Sequence, residues 1–354
     1  MIIVNSRFLT QSITGVQRYA IEISLQLKKI FNDSILFVAP HNIIHKELAS
    51  KLEVKIIGKN VGHLWEQYDL PIFLKKNNSP LLLCLANTAP LFYKNKISTI
   101  HDVAFKVYPK TFSKKFLYSY LLIIPQIIKS SKHILTVSNF SKTEIQKYYH
   151  TKSGKISVIY NAVNNEFTNK NDEKLNHIPY FLAVSSVNYR KNFHAVLKAF
   201  NLLKKQSNSS KYKLYIIGDM TSNSFKGLDL SDYIKDPDIV FCGRVTDKEL
   251  VNYYSNAIGF IYPSLYEGFG IPPLEAQACM CPVLSSNIPP LMEVLEESAL
   301  YADPFNIKDI ATKMEMLKDV KLRDELISLG QENIKRFSWN KSANQLKEII
   351  LKFI

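Results

Sequence analysis

Glycines, prolines and two glutamates are concentrated in one short segment, Tyr262 to Ala276, which reads YPSLYEGFGIPPLEA. Gly268 and Gly270 allow backbone amides to approach a ligand closely. The two adjacent prolines suit the first turn of a helix, whose unpaired N–H groups and positive dipole end attract anions. The segment therefore predicts a phosphate site. Glu267 before the turn and Glu275 in the first turn of the predicted helix flank this site. Carboxylates beside a phosphate favour a ligand that also carries hydroxyls, such as a sugar or a ribose.

The spacing Glu267-x7-Glu275 within this segment resembles the signature of the family 4 retaining glycosyltransferases. The resemblance implies that Glu267 contacts the transferred sugar as a catalytic residue and that Glu275 contacts the ribose of the nucleotide. It assigns donor binding to one run of residues: Gly268, Phe269, Gly270, Ile271 and Glu275. The alternative for the isolated pair is a surface glutamate followed by one that stabilises a helix dipole.

Arg190 and Lys191, in SSVNYRKN, are similar to the family's basic pair that neutralises the diphosphate of the donor. One common form of the family has an arginine directly after a glycine at the end of the preceding strand. Ser185 and Ser186 stand at that place here, so we expect Arg190 to take over the contact. The alternative is that Arg190 and Lys191 are two solvated surface residues at the start of a helix.

Two positions in the first half of the chain also resemble the family. Gly15, in TGVQRY, corresponds to a glycine loop beside the donor phosphates, and a turn glycine is the alternative. His101 follows an apolar run and corresponds to a histidine that reaches the donor sugar, which makes it the second expected catalytic residue. The alternative is a hydrogen-bonded histidine that touches no ligand.

Other motifs argue against metal or cofactor chemistry. Asp236-Pro237-Asp238 spells an Asp-x-Asp metal motif of a different glycosyltransferase fold, but it lies in a loop just before a predicted strand. Four cysteines are too few and too unevenly spaced for a zinc cluster or a disulfide framework. No Gly-x-Gly-x-x-Gly follows a strand, and no Walker lysine motif is present. We expect no metal and no cofactor, because the nucleotide-diphosphate sugar is itself a substrate.

Short apolar runs alternate with amphipathic segments along the chain, a pattern typical of parallel strands buried between helices. The predicted strands are Ile2–Asn5, Ile35–Ala39, Lys55–Ile57, Leu81–Leu85, Ile97–His101, His133–Val137, Lys155–Tyr160, Tyr180–Ser185, Lys213–Ile217, Ile239–Cys242, Gly259–Tyr262 and Val283–Ser285. Helices are predicted at 193–205 and from 247 to about 255, the second with a capping box formed by Thr246 and Glu249. The fold class is α/β, with two Rossmann-like doubly wound domains facing a central cleft, the GT-B fold.

One Asn-rich polar stretch, residues 164–179, interrupts this alternation and is interpreted as a linker. It separates an acceptor-binding domain, 1–163, from a donor-binding domain, 180–336. Residues 337–354 are amphipathic and resemble the terminal helices of the family that cross back to the first domain. Ligands of such sheets lie beyond the carboxyl ends of the strands.

The net charge of +14 is concentrated in the first half of the chain. Residues 1–176 hold 24 Lys and Arg against 11 Asp and Glu, whereas residues 177–354 hold 21 against 20. Lys106, Lys110, Lys114 and Lys115 are interleaved with aromatic residues, a mixture suited to an anionic bilayer surface. This pattern predicts a lipid-diphosphate-linked glycan as acceptor. The alternative is a solvated helix with its aromatic side chains in the core.

No apolar run reaches the roughly 18 residues of a membrane-spanning helix. The chain starts with MIIVN, without a charged leader. These features predict a cytoplasmic protein, with peripheral association at the inner face of the plasma membrane as a further expectation.

The combined prediction is a retaining, metal-independent hexosyltransferase of surface-polysaccharide assembly, such as O-antigen or capsule. GDP-mannose is the first expected donor, from the GVQRY and HDVAF context, and a UDP-sugar the second; the acceptor is a glycan or a lipid-linked glycan. Because the sequence offers no clear nucleophile for a double displacement, the resemblance implies front-face attack. The alternatives are a sugar-nucleotide epimerase or a glycogen-synthase-like enzyme on the same fold, and a basic nucleic-acid-binding module; we expect no nucleic acid partner.

Overall fold

A computed structural model describes residues 1–169, 178–184, 189–207, 212–218 and 230–354. The chain divides into two compact units, one of Met1–Asn161 with Ser338–Ile354 and one of Ala162–Phe337. Residues 170–177 of the predicted linker, and both Ser185 and Ser186, lie outside the described residues.

The first unit is built on a seven-stranded parallel sheet of order β3-β2-β1-β4-β5-β6-β7. Its strands are β1 Ile2–Asn5, β2 Ile35–Ala39, β3 Lys55–Ile56, β4 Leu81–Cys84, β5 Lys96–Thr99, β6 His133–Thr136 and β7 Ile156–Val158. Its helices up to this point are α1 Gly15–Phe31, α2 Lys46–Lys51, α3 Gly62–Leu64, α4 Leu70–Lys76, α5 Ala104–Val107, α6 Lys114–Ser130 and α7 Asn139–Tyr149. The central strands β1 and β4 are buried along their whole length, as expected of a sheet covered on both faces.

The second unit contains a six-stranded parallel sheet of order β10-β9-β8-β11-β12-β13. Its strands are β8 Tyr180–Val184, β9 Lys213–Ile217, β10 Ile239–Gly243, β11 Gly259–Tyr262, β12 Val283–Ser286 and β13 Leu300–Ala302. Its helices are α8 Phe193–Ser207, α9 Ser231–Ile234, α10 Asp247–Asn256, α11 Ile271–Ala278, α12 Pro289–Leu295, α13 Ile307–Met316 and α14 Val320–Ile334. In both sheets the strand order reverses beside the first strand of the unit, between β1 and β4 and between β8 and β11.

The last helix, α15 Trp339–Leu351, belongs to the first unit. It buries Trp339, Ala343, Leu346 and Ile350, which lie on one side of the helix. Trp339 lies edge-on to Tyr19 of α1, with ring centroids 6.2 Å apart.

Several predicted boundaries are wrong by one or two residues, and one strand was missed. β5 begins at Lys96, one residue before its predicted start, and Lys96 pairs with Leu82 of β4. A lysine can be buried in this strand because its ammonium group donates to the Tyr93 carbonyl at 2.6 Å and to Ser130 Oγ at 2.7 Å. The same strand ends before His101, and β7 is shorter than the predicted Lys155–Tyr160. Strand β13 has only three residues and lies at the sheet edge, so its sequence carries little pattern.

The capping box predicted for α10 is present, with Thr246 Oγ1 accepting from the Glu249 amide at 3.3 Å and Glu249 Oε2 accepting from the Thr246 amide at 2.7 Å. Among the described residues, none of the helices combines the length and the apolar character needed to cross a bilayer.

Candidate active site

The signature segment lies at the topological switch point of the second unit. Strands β8 and β11 are neighbours there. The chain continues from β8 to β9 on one side of this pair and from β11 to β12 on the other side. The turn Tyr189–Lys191 follows β8, and residues 263–270 follow β11. The structure therefore brings Lys191 and Glu267 together, although 76 residues separate them in the chain.

Glu267 is the centre of a buried polar cluster, with only 8% of its surface exposed. Its Oε1 accepts hydrogen bonds from Lys191 Nζ at 2.6 Å, from the Tyr262 hydroxyl at 2.7 Å and from Ser264 Oγ at 2.7 Å. Lys191 also donates to the Tyr262 hydroxyl at 2.8 Å. Three donors on one carboxylate oxygen fix the side chain in a single orientation.

The charge of this carboxylate is stabilised by its surroundings. Burial alone would raise the pKa of Glu267, but the nearby Lys191 ammonium and Arg190 guanidinium outweigh it, so the pKa is lowered from its usual value. Glu267 is therefore an anion at neutral pH that has lost most of its hydration.

Arg190 ties the turn after β8 to the segment after β11. Its carbonyl accepts a hydrogen bond from the Leu265 amide at 2.7 Å, and its Nη1 donates to the Tyr266 carbonyl at 3.3 Å. Asn192, two residues after Arg190, donates from Nδ2 to the Pro263 carbonyl at 3.0 Å. These contacts position both predicted basic residues beside Glu267.

Helix α11 begins directly after the glycine turn. Gly270 is its N-cap, with φ of +99°, and a Cβ there would come within 2.5 Å of Leu291 Cδ2. Gly268, Phe269 and Gly270 are buried, whereas Ile271 is half-buried at the start of the helix. Both backbone conformation and packing thus require glycine at position 270.

Glu275 is half-buried within α11. The prediction that it lies in the first turn of the helix is wrong, because the helix starts at Ile271 and its first turn contains no acidic residue. Glu275 lies one turn later.

In the first unit, Gly15 and His101 lie on different elements, although Tyr19 of the helix that Gly15 begins lies edge-on to His101, with ring centroids 4.9 Å apart. Gly15 is exposed and is the first residue of α1. His101 is buried just after β5, and its Nε2 donates to the Leu85 carbonyl at 3.0 Å, which leaves Nδ1 for any ligand. Burial lowers the pKa of His101 despite the opposing effects of the Leu85 carbonyl and Asp102, so the ring is neutral at pH 7.

The four lysines expected at a membrane surface differ in exposure. Lys110, Lys114 and Lys115 are exposed, whereas Lys106 is half-buried with its ammonium 5.6 Å from the centre of the Tyr149 ring. Phe116 and Tyr120 stack on each other with centroids 4.0 Å apart and pack against the core, so these aromatics face inward. Tyr118 is 63% exposed and Leu122 is 73% exposed on the same helix, α6.

The two aspartates of the Asp-x-Asp sequence are engaged by a single lysine. Lys204 Nζ lies 2.8 Å from Asp236 Oδ1 and 2.5 Å from Asp238 Oδ2. Across the described part of the chain, no three His, Cys, Asp or Glu side chains are arranged to hold a metal ion.

Two features of the molecule were missed at the sequence level. Tyr262 and Ser264 hold the carboxylate of Glu267, yet as the end of a strand and a loop serine they carry no distinctive pattern. Arg7 and Glu66 form a buried ion pair in the first unit, and 59 residues of separation conceal that pairing. The one available signal was a charged residue, Arg7, two positions after the end of the buried strand β1.

Comparison with known proteins gives two family matches that together cover most of the chain. Residues 165–333 match the model of the glycosyl transferases group 1, and residues 59–167 match the glycosyltransferase family 4 model. The chain is 33% identical over 353 residues to the O-antigen chain mannosyltransferase RfbU of Salmonella typhimurium, covering 96% of each protein. It is 28% identical to the O-antigen chain mannosyltransferase B of Escherichia coli, covering 72% of this chain and 71% of that protein.

A similar fold is found in the crystal structure of Anabaena HepE in complex with UDP-glucose. The TM-score is 0.75 at 15% identity, and the match covers 99% of both chains.

Proposed function

Because the chain belongs to the family 4 (group 1) glycosyltransferases, we propose that it transfers mannose from GDP-mannose to a glycan acceptor. The observation that carries the site assignment is the pair of buried Glu267 and half-buried Lys191 at the switch point of the second unit. Open α/β sheets bind ligands at this place.

The two sides of this pair suit the two parts of a sugar donor. The Glu267 carboxylate accepts hydrogen bonds from sugar hydroxyls, whereas Lys191 and Arg190 supply positive charge to the diphosphate. An ammonium group has three protons, and the contacts of Lys191 to Glu267 and Tyr262 use two of them. The third proton is directed to the donor phosphate in this proposal.

The choice of mannose rests on two relatives, both named as O-antigen chain mannosyltransferases. GDP is the corresponding nucleotide, and a UDP-sugar is the alternative because HepE, a protein of similar fold, was crystallised with UDP-glucose. We propose O-antigen or related surface-polysaccharide assembly as the biological setting, with the reaction taking place in the cytoplasm.

Transfer proceeds with retention and without a metal ion in this proposal. The acceptor hydroxyl attacks the anomeric carbon from the face that the diphosphate leaves, and a leaving phosphate oxygen takes its proton. Arg190, Lys191 and the backbone amides at the start of α11 stabilise the charge that develops on the diphosphate. Electrostatic stabilisation of this kind replaces the role that a metal ion has in other transferases.

We further propose that the acceptor is linked to lipid diphosphate and that the first unit meets it at an anionic membrane surface. The support is the surface of α6, where Lys115, Tyr118 and Leu122 follow a helical i, i+3, i+7 spacing. Lys114 is exposed on the same helix, and Lys110 is exposed in the short turn Pro109–Thr111 that precedes it. A basic and apolar helical face of this kind binds anionic bilayers.

A donor panel tests the proposal. The protein is incubated with GDP-mannose, UDP-glucose and UDP-N-acetylglucosamine in the presence of EDTA, and released nucleotide is measured along with the shift in melting temperature. We expect GDP-mannose to be turned over and to stabilise the protein most, with no effect of EDTA. If only a UDP-sugar is turned over, the donor is that UDP-sugar and not GDP-mannose. Activity that EDTA abolishes and Mn²⁺ restores would refute the metal-free mechanism.

A further inference from the structure

One buried asparagine ties together the ends of three strands in the second unit. Asn192 follows the turn Tyr189–Lys191 after β8 and directly precedes α8. Its side-chain nitrogen donates to the Pro263 carbonyl at 3.0 Å and to the Pro304 carbonyl at 2.6 Å. Pro263 is the first residue after β11, and Pro304 is the second residue after β13. The two hydrogens of one amide group therefore join three segments that leave the carboxyl edge of the sheet.

The backbone of Asn192 lies in the left-handed region, with φ of +57°. Its amide closes the preceding turn by donating to the Tyr189 carbonyl at 3.0 Å, and its carbonyl accepts from the Ala195 amide at 3.0 Å at the start of α8. Glycine adopts this conformation most readily, and asparagine adopts it less readily. Since only 1% of Asn192 is exposed, the asparagine side chain contributes two buried hydrogen bonds that a glycine would lack.

The bond between Asn192 and Pro263 lies next to every donor that holds Glu267. Glu267 Oε1 accepts from three side chains, and each of them is a chain neighbour of Asn192 or of Pro263. These donors are Lys191, Tyr262 and Ser264. One side-chain bond between the two segments therefore sets the position of the lysine relative to the other two donors.

The second anchor, on Pro304, extends this arrangement across the sheet. Pro304 lies beyond β13, and β12 separates β13 from β11 in the strand order. At the end of β12, Ser286 Oγ donates to the Ser264 carbonyl at 2.6 Å. A movement of Lys191 relative to Glu267 would thus disturb contacts with the ends of both β11 and β13.

The charge of Glu267 depends on where Lys191 lies. Burial alone raises the pKa of Glu267, and the Lys191 ammonium and the Arg190 guanidinium lower it. Tyr262 is the other titratable group in contact with the carboxylate, at 2.7 Å. If Lys191 moves away, the lowering effect is weakened and the buried carboxylate has a higher pKa.

We propose that Asn192 is a positioning residue for the transfer reaction, which holds Lys191 against Glu267 so that the carboxylate keeps one orientation toward the sugar of the donor. The inference rests on the function proposed above. In this role Asn192 touches neither donor nor acceptor, and it acts through Lys191.

Three variants of the full-length protein test this role. Asn192→Gly keeps the left-handed backbone and removes both side-chain bonds. Asn192→Ser is uncharged and has one donor instead of two, and it replaces Asn192→Gly in the measurements if that variant does not fold. Asn78→Gly is the matched control, because Asn78 has φ of +61° and is exposed in the first unit. Circular dichroism and urea unfolding show which variants fold.

The first measurement is the pKa of the Glu267 carboxyl group, followed by NMR in protein labelled with ¹³C-glutamate. Glu267→Gln identifies the signal. We expect this pKa to be higher in Asn192→Gly than in the wild type and unchanged in Asn78→Gly. A role of Asn192 in stability alone would lower the free energy of unfolding and leave the pKa unchanged. The inference is overturned if a folded Asn192 variant has the wild-type pKa at Glu267.

The second measurement is the rate of donor turnover. Each variant is assayed with GDP-mannose, or with the donor that the panel identifies, alone and combined with Lys191→Gln. We expect Asn192→Gly to lower kcat about tenfold to a hundredfold, the range in which small misplacements act. In the Lys191→Gln background the same substitution should lower kcat less than about threefold, because the side chain that Asn192 positions is absent.

A wild-type kcat in Asn192→Gly would overturn the inference, and so would losses that multiply fully in the double variant. Failure of the proposed transferase function would appear instead as a wild type that turns over no nucleotide sugar. The titration of Glu267 would then still decide whether Asn192 positions Lys191.

Discussion

At the scale of single residues, each unit buries one carboxylate against one basic side chain at a strand end. Glu267 is paired with Lys191 in the second unit, and Glu66 with Arg7 in the first. Removing one partner of a buried pair leaves the other charge uncompensated, which commonly costs about 3–5 kcal/mol of stability. Conservative amide substitutions therefore test function better than alanine does.

Glu267→Gln should lower the maximal rate of transfer by roughly 10²- to 10³-fold while the affinity for GDP changes little. The reason is that the resemblance assigns Glu267 to the sugar and Glu275 to the ribose of the nucleotide. Glu275→Ala should have the opposite profile, with the Kd for GDP raised about tenfold or more through loss of the charged hydrogen bond to ribose that the resemblance implies. Steady-state kinetics and GDP titrations separate the two effects.

Tyr262→Phe is the matched control for this comparison. It preserves the ring but removes one of the three hydrogen bonds to Glu267, so its effect on the rate should be smaller than that of Glu267→Gln. The division of roles is wrong if Glu267→Gln and Glu275→Ala lose GDP affinity equally and keep wild-type turnover at saturation.

At the scale of elements, the turn from β11 into α11 is the most constrained part of the site. Gly270 has φ of +99°, a backbone conformation that residues other than glycine rarely adopt. The Leu291 side chain fills the space where a Cβ would lie. The turn also sets the direction of the first amides of α11, on which the proposed diphosphate site depends.

Gly270→Ala should therefore destabilise the protein by about 1–3 kcal/mol and weaken GDP binding, because the backbone must leave the left-handed region. Urea unfolding and GDP titration measure the two effects. Gly154→Ala is the control, since the space around Gly154 is open and its φ is ordinary. Equal stability and GDP affinity in both variants would show that the turn is not constrained in this way.

The elements themselves were largely predictable, because buried parallel strands require continuous apolar runs. Strands β1, β2, β9 and β11 have the predicted bounds. The errors occur where a tertiary contact overrides the pattern, as at the buried Lys96, or where the strand is short and at an edge, as in β13.

The site was predictable only in part, for a related reason. The signature glutamates and the glycine turn are local in sequence and were identified there. The Lys191–Glu267 and Arg7–Glu66 pairs join residues 76 and 59 positions apart, so their existence depends on strand order, which a single sequence does not specify.

At the scale of the whole molecule, most of the excess positive charge lies in residues 1–176. The proposed diphosphate site belongs to the second unit, so donor binding does not account for that charge. The anionic membrane surface proposed above would account for it and would hold a lipid-linked acceptor near the first unit.

Changing Lys110, Lys114 and Lys115 to Gln should reduce binding to anionic vesicles, because each surface lysine contributes on the order of 1 kcal/mol with anionic lipid. Co-sedimentation with anionic and neutral vesicles at low and high salt provides the measurement. Binding by the wild type should be strongest to anionic vesicles at low salt.

A triple variant of the second unit, Lys235, Lys248 and Lys321 to Gln, loses the same charge from exposed positions and should bind as the wild type does. Equal binding of wild type to anionic and neutral vesicles, or equal loss in both triple variants, would contradict the membrane assignment and leave the transferase assignment intact.

The central claim, transfer of mannose with retention, is tested most directly by the anomeric configuration of the product. GDP-mannose carries its sugar in the α configuration, and the one-bond carbon–hydrogen coupling at the anomeric carbon distinguishes α from β in an NMR spectrum. The reaction is run with ¹³C-labelled GDP-mannose and a glycan acceptor in EDTA, with Glu267→Gln as the control of reduced activity. An α-linked mannoside formed by the wild type is the predicted result, and a β-linked product would contradict the mechanism.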